Sequence, residues 1–259
     1  MSTAQISIVL PCFNEGAQID SCLTTLESWF TGLAEILVID DGSNDDTFER
    51  AQAYAGHHAA VRVHRLAVNQ GKGAAILAAI PLVRGEHVVV MDADLAYERE
   101  SVHLVLDGLA SADVVVGNRR HDDSRYSVPV RVFGFLYRRH LVGLAFNAIV
   151  RALLQMRLRD TQCGLKAFRR EALEAIGRSS TIKGFAFDVE MLLIARALGL
   201  RLSDVPVRVT YCSGKSSVRL VRTGIAVAWD IVRIAARRAM GRYMTSRLRR
   251  DSEKTQVSV

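Results

Sequence analysis

No run of 18 uncharged apolar residues occurs in this sequence of 259, so no segment reads as a bilayer-spanning helix. The N-terminus has no basic region followed by an apolar run and a cleavage site, and the expectation is a chain that is not exported. Cysteine is scarce. Cys12, Cys22, Cys163 and Cys212 show neither C-x-x-C spacing nor the density of a disulfide framework, which predicts reduced thiols in a cytosolic protein. No internal repeat, low-complexity tract or linker breaks the chain. No His/Ser or Cys/His nucleophile constellation stands out either, which turns attention to chemistry run by carboxylates and cations.

What is present is apolar and basic. With 49% hydrophobic and 24% charged residues the chain can bury a substantial core, and disorder is excluded. The net charge of +7, drawn largely from arginines in the second half, suggests an anionic partner: a phosphate-bearing substrate, an anionic membrane surface, or nucleic acid.

Short β-rich runs recur in the first half, at 6–11 (ISIVLP), 35–40 (EILVID), 61–66 (VRVHRL), 86–92 (EHVVVMD) and 112–117 (ADVVVG). Helical patterns such as AQIDSCLTTLESWF and GKGAAILAAIPLV lie between them, giving the rhythm of a parallel, doubly wound sheet covered by helices. Such sheets bind ligands at the carboxyl ends of their strands. The residues that follow the first four runs are PCFNEG, DDGSNDDT, NQGKG and DAD, so four consecutive strand ends carry polar or Gly-rich sequence. That edge is the expected site.

Asp92 and Asp94 end an apolar strand (VVVMDAD), where two carboxylates can converge on one hard divalent cation that completes its shell with substrate phosphates. An acidic turn after a strand is the plainer alternative. In IDDGSNDDT, Gly42 permits a tight turn and Ser43, Asn44, Asp45 and Asp46 are helix-cap types. The NQGKG loop lacks Walker A spacing, but its glycines allow close backbone approach at a helix N-terminus and Lys72 supplies a mobile cation. Asp188 and Glu190 stand where a helix begins, a placement that the helix dipole alone would favour. Arg119, Arg120, Arg131, Arg138 and Arg139 gather in VGNRR and VPVRVFGFLYRR, the residue type suited to phosphate.

Taken in order, VLPCFNE, VIDDGSNDDT, NQGKGAA, MDAD, VGNRR, DTQCGLKAF and FDVE resemble the family 2 glycosyltransferases, and within them the dolichyl- or polyprenyl-phosphate sugar synthases, over about residues 6–215. The resemblance implies a GT-A, Rossmann-like α/β domain over 1–215, with a mostly parallel sheet and helices on both faces, followed by a basic amphipathic helical tail over 216–259. It implies an inverting, metal-dependent transfer of sugar from a nucleotide sugar to a polyprenyl or dolichyl phosphate, with Mg²⁺ or Mn²⁺ held by Asp92 and Asp94. Pro11, Asn14, Glu15, Asp41, Gly71, Lys72, Asp92, Ala93 and Gln162 are then expected around the nucleotide sugar. Asp94, Asp160 and Asp188 are expected as catalytic, and Arg119 and Arg131 at the acceptor phosphate. The DTQCG and FDVE forms look closest to the glucosyl branch, implying UDP-glucose; GDP-mannose, or a polysaccharide acceptor, stays open.

The apolar stripe of 131–156 and the tail at 219–250 are both flanked by arginines, as in helices that lie in a membrane interface, although either could pack on the sheet instead. Many relatives carry transmembrane helices in the tail region, and this chain departs from them. Peripheral attachment to the cytoplasmic face is the expectation, with a homo-oligomer or a membrane-protein partner left open. A receiver-like signalling module would also place Asp40, Asp41 and Asp92 at sheet edges, but it needs only about half this length and gives the arginines no role. A nucleic-acid binder would use the positive charge, and no nucleic acid is expected.

Overall fold

The computed structural model describes residues 6–30, 35–127, 150, 159–210 and 220–243, with 220–225 described by backbone alone. Arg131, Arg138, Arg139, Cys212, the 131–156 stripe apart from Val150, and the end of the tail lie outside the described residues.

The chain begins with β1 (Ile6–Cys12), α1 (Ile19–Trp29), β2 (Glu35–Asp40), α2 (Thr47–Ala55), β3 (Val61–Arg65), α3 (Lys72–Ala79) and β4 (His87–Val90). Then come α4 (Arg99–Gly108), β5 (Val114–Asn118), β6 (Arg125–Ser127), β7 (Lys166–Arg169), α5 (Arg170–Ser179), α6 (Phe187–Ala197), β8 (Leu202–Pro206), β9 (Arg208–Thr210) and α7 (Leu220–Ala239). Seven strands form one sheet in the order β3-β2-β1-β4-β7-β5-β8, and β6 pairs with β9 separately. Its inner strands read as near-continuous apolar runs because both faces are covered. Ile8, Val9 and Leu10 of β1, Val88 and Val89 of β4, and Val114, Val115 and Val116 of β5 are fully buried. Among the helices, α3 packs on β1 and β2, and α4 on β5 and β8.

The five expected strands are all present, β2 over the residues assigned to it. The sheet is mostly parallel, with one departure: β7 runs antiparallel between β4 and β5. Four residues, Lys-Ala-Phe-Arg, carry too little periodicity to announce a strand. Its direction matters for the site. An antiparallel strand starts where its parallel neighbours end, so Lys166 pairs in register with Val90 of β4 and Val116 of β5, and the DTQCG segment that precedes it reaches the edge that carries DAD.

Cys12, Cys22 and Cys163 are buried and unbonded, as expected of reduced thiols. No helix among the described residues is long and apolar enough to cross a membrane. The tail begins as the long helix α7, whose Ile231 and Ile234 enter the main core.

Candidate active site

Each predicted loop lands on the same edge, and the loops are tied to one another. After β1, Asn14 adopts a left-handed conformation (φ 57°). Its N–H donates to Ser43 Oγ at 2.9 Å, and its own Oδ1 accepts from the Asn44 N–H at 2.9 Å. The Glu15 N–H donates to Thr47 Oγ1 at 2.8 Å. Pro11 pairs with Ile39 in the strand register below. Asp45 accepts from the N–H groups of Gly16 and Thr47, so it serves turn and cap geometry as its residue type suggested.

Asp41 is buried at the end of β2, and both carboxylate oxygens face the NQGKG loop: Oδ1 accepts from the Gln70 N–H at 2.8 Å and Oδ2 from the Gly71 N–H at 2.7 Å. Burial pushes this carboxyl up while the two backbone donors pull it down. In this structure Asp41 thus holds the loop. Gly71 has φ 101°, and a Cβ there would stand 2.7 Å from the Lys183 carbonyl oxygen, so glycine is required twice over.

The DAD segment meets two other motifs. Lys72 Nζ lies 2.5 Å from Asp92 Oδ1. Burial works to raise the Asp92 carboxyl, but Lys72, with Lys166 and Arg119 behind it, holds it below the usual carboxylate range. Burial likewise opposes the charge on Lys72, which Asp92 and Asp188 more than restore, so the ammonium stays protonated. On the other side of Asp92 stands Gly164 of DTQCG, where a Cβ would fall 2.2 Å from Oδ2. Ala93 is buried between the two acids. Asp94 is half-buried, and its Oδ1 accepts from the Ala96 N–H at 3.1 Å across the left-handed Leu95.

The residues at the β4 end fit a divalent cation. The Glu15 carboxyl is pushed up to about 7, chiefly by burial and further by the charges of Asp94 and Asp92, against the hydrogen bond from Gln18. Crowded negative charge of this kind is what a cation relieves. No group of three or more His, Cys, Asp and Glu forms a complete cage among the described residues. Two carboxylates with substrate phosphates completing the shell are the usual Mg²⁺ arrangement.

Asp160, expected from the resemblance as catalytic, and Arg119, expected at the acceptor phosphate, are paired with each other. Arg119 donates from Nε to Asp160 Oδ2 at 2.7 Å and from Nη2 to Oδ1 at 3.0 Å, a bidentate fork. The Arg119 and Gln162 backbone N–H groups add to the same carboxylate. The Asp160 side chain is 1% exposed, whereas the Arg119 side chain is about a third exposed, so of the two it is the arginine that a ligand can reach. Burial alone would raise this carboxyl, but Arg119 holds it low.

Asp188 lies in the first turn of α6, where Lys166 Nζ donates to its Oδ1 at 2.9 Å and also to the Cys163 carbonyl oxygen. Lys166 is the functional residue that sequence reasoning missed. It sits in DTQCGLKAF, but nothing in one sequence says that a strand lysine is 2% exposed and paired with Asp188. Tyr97 was missed as well: its hydroxyl oxygen accepts from the Gly164 N–H at 3.0 Å, which pins DTQCG in place. Asp92, Asp188, Lys72 and Lys166 together form an alternating cluster of charge at the sheet edge.

A family model described as glycosyl transferase family 2 matches residues 7–177. Dolichyl-phosphate beta-glucosyltransferase of Dictyostelium discoideum is 31% identical over 251 residues, covering 91% of this chain and 75% of that protein. The Homo sapiens protein of the same description is 34% identical over 235 residues, with coverage of 83% and 70%. Glycosyltransferase AglD of Haloferax volcanii is 32% identical over 236 residues, but those span 88% of this chain and only 36% of that longer protein. Among solved structures, glucosyl-3-phosphoglycerate synthase from Mycobacterium tuberculosis, in complex with Mn²⁺, UDP-glucose and phosphoglyceric acid, superposes with a TM-score of 0.67 at 23% identity, covering 90% of this chain and 80% of that one. This likeness bears on the fold, which is that of a GT-A glycosyltransferase.

Proposed function

The chain belongs to glycosyl transferase family 2 and is a glycosyltransferase, and from that premise we propose that it moves glucose from UDP-glucose to a dolichyl or polyprenyl phosphate. The observation that carries this reading is the meeting of DAD, NQGKG and DTQCG at Asp92, with Lys72 on one side and Gly164 on the other. Relatives described as dolichyl-phosphate beta-glucosyltransferases support the acceptor and the sugar.

The acceptor's phosphate monoester has a second pKa of about 6, so it arrives ionised and needs no strong base. One of its oxygens forms the new bond to the anomeric carbon from the side opposite the diphosphate, whose glycosidic C–O bond breaks with the electron pair leaving on the nucleoside diphosphate. The work left to the protein is alignment and charge. Lys72 is placed to meet the diphosphate, and the open part of the Arg119 guanidinium to meet the acceptor phosphate, with Asp160 fixing its orientation. Arg131 is assigned to the same phosphate by the family resemblance alone. Asp188, held by Lys166, and Gln162 face the sugar, while Pro11, Asn14, Glu15 and the loop that Asp41 holds surround the nucleotide. Asp94 and Asp92 would hold Mg²⁺ or Mn²⁺, which when bound neutralises charge on the departing diphosphate.

Incubation of the purified chain with UDP-glucose, GDP-mannose, Mg²⁺ or Mn²⁺ and a polyprenyl phosphate, followed by mass analysis of the lipid, tests the reading. The expected product is the lipid phosphate plus one hexose, formed from UDP-glucose. A mannosyl product would replace the donor, and hexose on a glycan but never on the lipid would replace the acceptor.

The Gly164 contact gives a sharper check. Gly164→Ala places a methyl group against Asp92 Oδ2 and should lower turnover by roughly one to two decades, since displacements near 1 Å at a reacting centre carry penalties of that order. A folded alanine variant with unaltered turnover would show that the close approach plays no part in catalysis.

Access to a lipid acceptor is proposed to come from peripheral attachment through α7. Its buried side is Ile231 and Ile234, while Trp229, Val232 and Met240 are 66%, 56% and 54% exposed. Arg233 and Arg242 are exposed along the same segment, and each arginine near an anionic surface contributes about 1 kcal/mol. In liposome flotation the chain should rise with anionic vesicles at low salt and sink as salt increases. Failure to float at low salt would leave membrane access to a partner.

A further inference from the structure

One strong group at the site has no task in the reaction outlined above. Glu190 is completely buried, yet it accepts four hydrogen bonds. Its Oε2 takes the backbone N–H groups of Thr181 at 2.8 Å and Ile182 at 2.7 Å, and its Oε1 takes the Thr181 hydroxyl at 2.6 Å and the Tyr243 hydroxyl at 2.8 Å. Three of these bonds fix the segment that leads into α6. The fourth reaches 53 residues along the chain to a buried tyrosine just past the end of α7.

That segment is a wall of the nucleotide loop. The Lys183 carbonyl oxygen accepts from the Ala74 N–H at 3.0 Å, and Lys183 Nζ donates to Gln70 Oε1 at 3.1 Å. A Cβ on Gly71 would meet the Lys183 carbonyl at 2.7 Å, and one on Gly73 would meet the Ile182 carbonyl at 2.8 Å and Phe187 Cβ at 2.6 Å. The loop that presents Lys72 to Asp92 is therefore gripped from two sides: by Asp41 through the Gln70 and Gly71 N–H groups, and by the 181–184 segment. The second grip is set by Glu190, and Glu190 is completed by Tyr243.

We propose that Glu190 is a positioning residue which, by clamping Tyr243 to the 181–184 segment, makes the C-terminal helix part of the apparatus that sets nucleotide diphosphate affinity. The inference rests on the nucleotide-sugar reading of the site. Two further contacts support it. Arg237 of α7 stacks over the Tyr243 ring at 5.4 Å, and Asp230 Oδ2 would lie 3.4 Å from a Cβ on Gly184, so α7 touches the segment at a second point. The tyrosine links the site to the helix whose other face carries Trp229 and Val232.

The test uses the full chain. Titration calorimetry of the unaltered protein with UDP, and separately GDP, in Mn²⁺ comes first; binding of neither overturns the nucleotide reading itself. With the nucleotide that binds, Tyr243→Phe removes one donor and keeps the ring. Its dissociation constant should rise by about five- to tenfold, in line with the loss of a hydrogen bond to a buried charge, and the donor KM should rise with it while kcat falls less than twofold. Hydrogen exchange of residues 70–76 and 181–187 should quicken in the same variant. Glu190→Gln is the second variant: its amide keeps the shape but sets an N–H₂ against hydroxyls that were donating, and a weakening of about threefold is expected. A purely structural role would lower the melting temperature of folded variants and leave nucleotide affinity within twofold of the parent, which overturns the proposal. If Tyr243→Phe does not fold, the same twofold criterion applied to Glu190→Gln decides.

Discussion

Asp94→Asn is expected to lower turnover by about two to three decades while leaving the fold intact, the scale seen when one preorganised group is removed from a site that stabilises developing charge. The substitution is nearly isosteric. Asn keeps an oxygen able to accept from the Ala96 N–H, and the side chain is half-buried at a strand end, outside the core. Stability should therefore change by no more than about 0.5 kcal/mol. What disappears is one of the two negative charges that would hold the divalent cation, a carboxylate oxygen being a far better ligand for a hard cation than an amide. EDTA should abolish activity of the parent enzyme, and Mn²⁺ or Mg²⁺ should restore it. Steady-state turnover of both proteins across a metal titration is the measurement. An asparagine variant retaining a third of parental activity, or full activity of the parent in stringently metal-free buffer, would sink the assignment.

The largest loss of stability is expected at Lys166→Met. Methionine fits the volume, but it strips Asp188 and the Cys163 carbonyl oxygen of their ammonium donor in a place where the lysine side chain is 2% exposed. Breaking a buried ion pair by removing one partner costs about 3–5 kcal/mol, because the remaining charge stays buried. Urea unfolding should register that loss. The double variant with Asp188→Asn should recover part of it, since the orphan is then neutral. Retention of parental stability to within 1 kcal/mol, a threshold well under that range, would mean that water reaches the pair. Turnover of the single variant should fall as well, because Asp92 loses one of the cations that hold its carboxyl low.

Several features of the molecule are legible in short stretches of its sequence. The β-rich runs carry their signal locally: Glu35–Asp40 forms β2 because an apolar run between turn residues leaves few alternatives. The polar character of four successive strand ends followed from the same reading, since a parallel sheet presents those ends at one edge. Gly71 and Gly42 mark positions of positive φ, a property visible in the residue type.

Other features depended on pairings that no local pattern encodes. Arg119 and Asp160 are 41 residues apart in sequence, Lys166 and Asp188 are 22 apart, and Glu190 and Tyr243 are 53 apart. The family resemblance gave Asp160 a catalytic role and Arg119 the acceptor phosphate, and neither expectation carries their pairing with each other. Their meeting follows from the end of β5 lying beside the segment that precedes β7. The direction of β7 was equally invisible: Lys-Ala-Phe-Arg could have run either way, and only as an antiparallel strand does Lys166 arrive beside Val90, at the edge that bears Asp92.

The sequence by itself determined the class of fold, the sheet edge at which the chemistry gathers, and the residue types available there: paired acids, a glycine-rich loop and a surplus of arginine. Those are properties of short stretches, set by local sterics, burial pattern and side-chain chemistry. Only the tertiary structure decided how the charges are spent, because an ion pair depends on which side chains face each other across a few ångströms of low-dielectric interior. It gave Lys72 to Asp92, Lys166 to Asp188 and Arg119 to Asp160, turned Asp41 onto the NQGKG loop, and tied Tyr243, just past α7, to Glu190 of α6.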